Sequence, residues 1–145
     1  MKPNIIDKIY DESNNIDEFI SGYFENLNYI INQLDFGSLS RFIEEFTDSY
    51  ENDQTIFVAG NGGSASTAST MANDIGFDIM KKTGVSKPIK IHALTENSSV
   101  ITAIANDTGY ENIFLNQLKI HYTHGDKLLV ISASGNSKHL TLAAE

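Results

Sequence analysis

The 145-residue chain is long enough for one domain with a real core and too short for two ordinary ones. Its formal net charge of −9, with no Lys or Arg cluster beyond Lys81-Lys82, argues against nucleic acid or an anionic membrane as a partner. The lack of cysteine excludes disulfides and thiolate metal sites.

Residues Met1 to Asn4 lead into a polar helix without an apolar leader, and no run reaches the ~18 apolar residues of a membrane span, so the expected compartment is the cytoplasm. Ile16, Phe19, Ile20, Tyr23, Leu27, Ile30, Ile31 and Leu34 then recur at helical spacing. A turn at Asp35-Phe36-Gly37-Ser38 precedes a second amphipathic helix with Leu39, Phe42, Ile43, Phe46 and Tyr50, and Ser38 is its expected N-cap. Thr55 to Ala59 reads as a short, continuously apolar strand of the kind buried on both faces of a parallel sheet. The helix after Ser64 carries Ala65, Ala68, Ala72 and Ile75 at intervals of three and four. A loop with Gly84 and Pro88 leads to a second strand, Ile89 to Leu94. Helices through Val100, Ile101 and Ile104, and through Ile113, Phe114 and Leu118, flank a break at Asn106-Asp107-Thr108-Gly109. Gly125-Asp126 turns into a third strand, Lys127 to Ser132, and a last helix begins at Ser137.

Strands alternating with helices specify an α/β fold: a three-layer α-β-α sandwich on a parallel sheet, flavodoxin-like or Rossmann-like, preceded by two N-terminal helices. Residues 1–52 form the expected helical segment, packing on the sheet and on a neighbouring subunit, and residues 53–145 the sheet domain. Three strands make a thin sheet, and Glu145 falls about two turns into a helix. Either a neighbouring subunit completes the surface or the chain is a shortened form of something longer.

Two strands end alike. Val58-Ala59-Gly60-Asn61-Gly62-Gly63-Ser64-Ala65-Ser66 and Leu129-Val130-Ile131-Ser132-Ala133-Ser134-Gly135-Asn136-Ser137 each run from apolar residues into small ones, then a helix. Such loops let backbone amides approach an anion, and serine adds hydroxyl donors without bulk. Together they point to a phosphate-bearing ligand; either alone is also an ordinary strand-to-helix turn. Gly60, Gly62 and Ala65 satisfy a GxGxxA pattern, but the acidic residue a dinucleotide site places about 20 residues on is missing.

Thr67, Thr70 and Asp74 share the helix face opposite the alanine stripe. Asp74 reads as a general base facing the crevice, or as a solvated helix residue. Asn106 and Asp107 read either as ligands for substrate hydroxyls or as turn residues that satisfy their own backbone. His92, His121, His124 and His139 show no i, i+4 pairing; His121 and His124, three apart near the start of a loop, are a weak metal signal, and surface or turn residues are the favoured reading of all four. No nucleophile elbow of the GxSxG type is present.

Three motifs in order resemble the phosphoheptose isomerases of the SIS (sugar isomerase) domain superfamily. They are Gly60-Asn61-Gly62-Gly63-Ser64, Ala103 to Phe114 around Asn106-Asp107, and Gly125-Asp126 with Ile131 to Ser137. The resemblance runs from about Ile16 to Glu145. It implies a five-stranded parallel sheet, a homotetramer with sites between subunits, and interconversion of sedoheptulose 7-phosphate and D-glycero-D-manno-heptose 7-phosphate for lipopolysaccharide or other surface glycans. By position, Ser132, Ala133, Ser134 and Ser137 match the phosphate loop. Asn61, Gly62, Gly63 and Ser64, with Asn106 and Asp107, match sugar-contacting positions, and Asp74 falls where the family commonly has a catalytic glutamate.

The chain also departs from that pattern. Thr70 replaces an active-site histidine one turn before Asp74, and Ala133 replaces a threonine. The family's other catalytic histidine, on its C-terminal helix, has no counterpart before Glu145. Some members bind zinc through two histidines, the glutamate and a glutamine; only Asp74 remains here, so the resemblance allows zinc but its ligands are largely absent and the site is not complete in this chain. The alternative implied by other SIS relatives is an inactive sugar-phosphate sensor or a protein-binding regulator.

Overall fold

Two asparagines open the helical N-terminal unit. Asn4 accepts the Asp7 amide at 2.9 Å while Asp7 accepts the Asn4 amide at 3.2 Å, a reciprocal cap that starts α1 (Ile5–Glu12). Asn15 accepts from Glu18 N at 3.0 Å and starts α2 (Ile16–Asn32). The structure, a computed structural model, describes residues 4–145, and the chain divides into units Met1–Ile43 and Glu44–Glu145. The polar helix expected after Asn4 is α1, which meets α2 through an edge-on pair of the Tyr10 and Phe19 rings, 5.6 Å apart.

The expected cap at Ser38 is corrected. α3 (Phe36–Glu51) starts earlier, because the Asp35 carboxylate takes the first-turn amides of Gly37 at 3.0 Å and Ser38 at 3.2 Å. The Ser38 hydroxyl donates to Asp35 instead of capping, at 2.6 Å. A carboxylate one residue before the helix is the better acceptor for several amides pointing out of its positive end.

In the second unit, β1 (Thr55–Gly60) is the centre of a parallel sheet of order β2-β1-β3, with β2 at Lys90–Ala93 and β3 at Lys127–Ile131. Its alternating side chains feed two cores. Phe57 and Ala59 pack with Leu94, Ile113, Phe114, Leu118 and Leu140; Ile56 and Val58 pack with Ala68 and Ala93. Each large side chain so buried contributes about 1.5–3 kcal/mol. Helices on both faces give the expected three layers: α4 (Gly63–Met71), α5 (Ile79–Thr83), α6 (Ser98–Thr108), α7 (Leu115–His121) and α8 (Lys138–Ala144). Between α4 and α5 the chain is a π-helix, Ala72–Asp78, and a 3₁₀ turn, Tyr110–Asn112, follows α6. Three strands are present among the described residues, against the five that the resemblance implies.

Charged residues pin the amino edge of the sheet. Lys127 pairs with Glu45 and, at 2.6 Å, with Asp48 on α3. Asp126 accepts the Thr55 amide at 2.7 Å, and the Thr123 amide and hydroxyl at 2.8 Å each. Burial pushes the Asp126 carboxyl up, but these hydrogen bonds, with Lys90 nearby, outweigh it and hold it below the ordinary carboxylate range. A depressed folded pKa stabilises the fold above the unfolded value of ~3.9 and ceases to do so as pH falls through the folded one. Asp126→Asn is therefore expected to cost about 1–3 kcal/mol at neutral pH, measured by urea denaturation. The gap to the unaltered chain is expected to close on acidification below pH ~4.

Candidate active site

Gly60 on β1 pairs with Ile131 on β3, so the two small-residue loops leave neighbouring strands in register, about 4.8 Å apart. Both emerge at the carboxyl edge of the sheet, where open parallel sheets bind ligands. In the first loop, a Cβ on Gly60 would lie 2.8 Å from the backbone carbon and oxygen of Ser64, so only glycine lets α4 start this close to the strand. Gly62 has φ 52° and ψ −121° and precedes α4 without a side chain to cap it. Ser64 donates its amide to the Asn61 carbonyl at 2.9 Å, and Ser66 to the Gly62 carbonyl at 3.1 Å. Gly62 and Gly63 are exposed; Asn61 and Ser64 are half-buried.

The second loop is braced by its own hydroxyls. Ser132 Oγ accepts from Gly135 N at 3.1 Å and Ser134 Oγ from Asn136 N at 3.3 Å. Ser137 accepts the amides of Leu140 and Thr141 through its carbonyl and does not cap α8 with its hydroxyl. Ala133 and Ser134 are exposed.

A side-chain contact ties the first loop to the helix that follows the second: His139 Nε2, in the first turn of α8, lies 2.8 Å from Asn61 Oδ1. His139 is buried, its ring 4.9 Å from that of Tyr110 and 5.6 Å from that of Phe114. This corrects the reading of His139 as a surface or turn residue. The signal was present in Leu140 beside it, which is also buried: an apolar face at the start of α8 carries both. Burial pushes the His139 imidazole below its ordinary pKa.

Asn106 and Asp107 do not form the expected break. They occupy the last turn of α6, with Asn106 Nδ2 donating to Asp107 Oδ1 at 2.8 Å, and the chain turns at Gly109, φ 97°. Asn and Asp are poor helix interiors, but three and two residues before a positive-φ glycine they fall in the last turn, where they are tolerated. Tyr110, three residues after Asp107 and thus within about 11 Å of it along the chain, packs on His139.

Asp74 lies in the π-helix, whose wider turn is closed by Ile79 N bonding the Asp74 carbonyl. Such turns recur at functional sites because they re-aim side chains. Asp74 is exposed, receives a hydrogen bond from Asn73 Nδ2 at 2.9 Å, and lines a groove of about 390 Å³ with Thr67, Thr70 and Met71. Among the described residues no cluster of three or more His, Cys, Asp or Glu is placed to hold a metal ion. A zinc ion needs about four such donors, or three with water. The donor set around Asp74, with threonine at positions 67 and 70, does not fit one.

Residues 22–145 match the SIS domain, and the chain belongs to the SIS-domain family. The relatives it resembles are phosphoheptose isomerases. It is 35% identical over 137 residues to phosphoheptose isomerase 2 of Campylobacter jejuni, covering 90% of this chain and 66% of that protein. It is 38% identical over 112 residues to the phosphoheptose isomerase of Aneurinibacillus thermoaerophilus, covering 74% and 54%. The fold matches that of the phosphoheptose isomerase of Neisseria gonorrhoeae with a TM-score of 0.77 at 27% identity, covering 90% of this chain and 67% of that one. The chain thus spans between about half and two thirds of the curated relatives' length. Among the described residues no helix is long and apolar enough to cross a membrane.

Gly60→Ala tests the close approach of loop and helix. Because the contact is with backbone, the added methyl is expected to cost about 1–3 kcal/mol by overpacking, read by thermal or urea unfolding.

Proposed function

We propose that this chain binds a heptose 7-phosphate and isomerises sedoheptulose 7-phosphate to D-glycero-D-manno-heptose 7-phosphate. The observation that supports this most is the pair of in-register loops, the first tied to the helix after the second by the Asn61–His139 contact, in a chain whose relatives are named phosphoheptose isomerases. Ser132, Ser134 and Ser137, with the Ala133 backbone, take the phosphate. Asn61, Gly62, Gly63 and Ser64 hold the sugar from one side, and Asn106 and Asp107 from the other. Neutral donors suit this role in an acidic chain, which offers a phosphate no broad positive field.

Asp74 is the proposed base. It removes a proton from carbon 1, the electron pair forms the carbon 1–carbon 2 double bond, and the carbonyl oxygen on carbon 2 takes up a proton. The enediol then receives a proton at carbon 2 while the hydroxyl on carbon 1 loses one to become the aldehyde. Fixing the phosphate holds the reacting end against the base, and positioning of this kind is worth up to ~7–11 kcal/mol of barrier. Aspartate is one methylene shorter than glutamate, a setback of roughly 1 Å that costs on the order of a hundredfold in rate.

The same reading places the enzyme in the cytoplasm, on the route to heptose for lipopolysaccharide or other surface glycans, as a homotetramer. Residues 53–145 carry the site and residues 1–52 supply association surface. α2 supports the latter: none of its residues is buried, and Ile16, Phe24 and Ile31 are exposed.

Proton NMR of sedoheptulose 7-phosphate with the chain in D₂O tests the proposal. Loss of the carbon 1 proton signals and appearance of the aldoheptose phosphate are expected. Asp74→Asn is expected to lower turnover by about 10²–10⁴-fold and to leave phosphate binding intact; unchanged turnover removes Asp74 from the mechanism. Absence of exchange in the unaltered chain, with stabilisation by phosphate retained, identifies a binding domain in place of an enzyme.

A further inference from the structure

We infer that His139 is a positioning residue for Asn61: its Nε2–H donates to Asn61 Oδ1 and turns the Asn61 amide nitrogen toward the bound sugar. The inference rests on the phosphosugar reading above and adds a residue that the motifs leave out. A carboxamide is planar, with an acceptor on one branch and two N–H donors on the other. Committing Oδ1 to His139 at 2.8 Å leaves the donor branch facing the other way. A free asparagine side chain turns over at little cost, and in half its orientations presents oxygen to the oxygens of a sugar. With Oδ1 held by His139, Asn61 is kept in the other half.

The surroundings of His139 make it a fixed donor. It is 9% exposed, with Tyr110 edge-on at 4.9 Å and Phe114 at 5.6 Å, so the ring has little room to swing. Burial lowers its affinity for a second proton, leaving a neutral imidazole with one N–H at neutral pH. Facing a carbonyl oxygen, that proton belongs on Nε2; on Nδ1 it would leave two lone pairs opposed at hydrogen-bond distance. The bond also spans the site. Asn61 opens the first loop and His139 lies in the first turn of α8, directly after the serine loop, so orientation of the sugar-facing amide depends on where the second loop's helix sits.

Two readouts test this. In the ligand-free, ¹⁵N-labelled chain, long-range proton–nitrogen correlation is expected to show His139 as the Nε2–H tautomer. An Nδ1–H tautomer overturns the inference whatever the ligand. The second readout is titration calorimetry with sedoheptulose 7-phosphate and, separately, inorganic phosphate. His139→Phe keeps a ring against Tyr110 and Phe114 and removes the donor. It is expected to weaken sedoheptulose 7-phosphate about tenfold, the effect of one oriented hydrogen bond, and to leave inorganic phosphate unchanged. His139→Gln restores a donor without a ring and is expected to recover most of the loss. A purely structural role predicts the reverse order, with Gln worse than Phe and both ligands weakened together, and overturns the inference. So does a His139→Phe chain that binds sedoheptulose 7-phosphate like the unaltered one. If the unaltered chain shows the Nε2–H tautomer yet binds no sedoheptulose 7-phosphate, the phosphosugar reading itself fails, and the sugar-directed role of Asn61 with it.

Discussion

Everything that positions the candidate site follows from the double burial of β1. A strand hydrogen-bonded along both edges satisfies its backbone without water, and its side chains then have only apolar environments to enter. Val58 and Ala59 have no exposed surface, and Ile56 and Phe57 have almost none. Such a strand cannot slip, because a shift of one residue would exchange the two cores. Its carboxyl end is therefore a fixed point, and the short distance from Gly60 to Ser64 fixes the start of α4 in turn. The amides of the first loop inherit that rigidity. On β3, paired in register, the second loop begins at the same level.

The two edges of the sheet are built from different chemistry. At the amino edge lie Asp126, Lys127 and the Lys90–Asp53 pair. Exposed ion pairs contribute ~0–1 kcal/mol each, so the lysine pairs act more by fixing where α3 and the strands meet than by adding stability, and the hydrogen bonds to Asp126 carry the larger share. At the carboxyl edge the loops consist of glycine, serine, asparagine and alanine. Bulk and fixed charge are kept away from the place where the chain has unassigned hydrogen-bond donors. A buried amide performs the remaining join: Gln117 Nε2 donates to the Leu94 carbonyl at 3.1 Å and the Ile113 carbonyl at 2.7 Å, closing the end of β2 against α7.

How much of this was legible depends on whether the signal was local. The continuously apolar Thr55–Ala59 run and the small residues after it specify a buried parallel strand and its loop from sequence alone, and the alternation of strands and helices along the chain is legible too, whereas the sheet order β2-β1-β3 is not. Capping at Asp35 was missed because an aspartate and a serine three residues apart are both acceptable caps, and only the amides' positions decide between them. The π-helix was missed for a different reason. Its extra residue per turn arises from packing, where Gly76 sits against β2 with Ile91 and the Ile89 carbonyl at 3.1 and 3.6 Å from a would-be Cβ, and no residue type signals it. The His139–Asn61 bond joins residues far apart in sequence, and a single histidine carries no periodicity to reveal a distant partner.

On the proposed phosphosugar reading, that bond serves the sugar end of the ligand, and the phosphate end is left to the serine loop. A net charge of −9 repels a phosphate at long range, but salt screens that field beyond ~8 Å, so the decision falls to groups in contact. Lys138, directly after Ser137, pairs with Glu111 only at 3.7 Å and is largely exposed, which leaves its charge balanced nearby and weakly held. On the same proposed reading, affinity then comes from neutral donors whose directions are set in advance, since a dipole pointing the wrong way repels as strongly as the right one attracts. Serine hydroxyls rotate to suit, and backbone amides are fixed by the loop. A carboxamide, by contrast, can be present and reversed, and on the proposed reading the buried imidazole behind Asn61 removes that ambiguity at the sugar end.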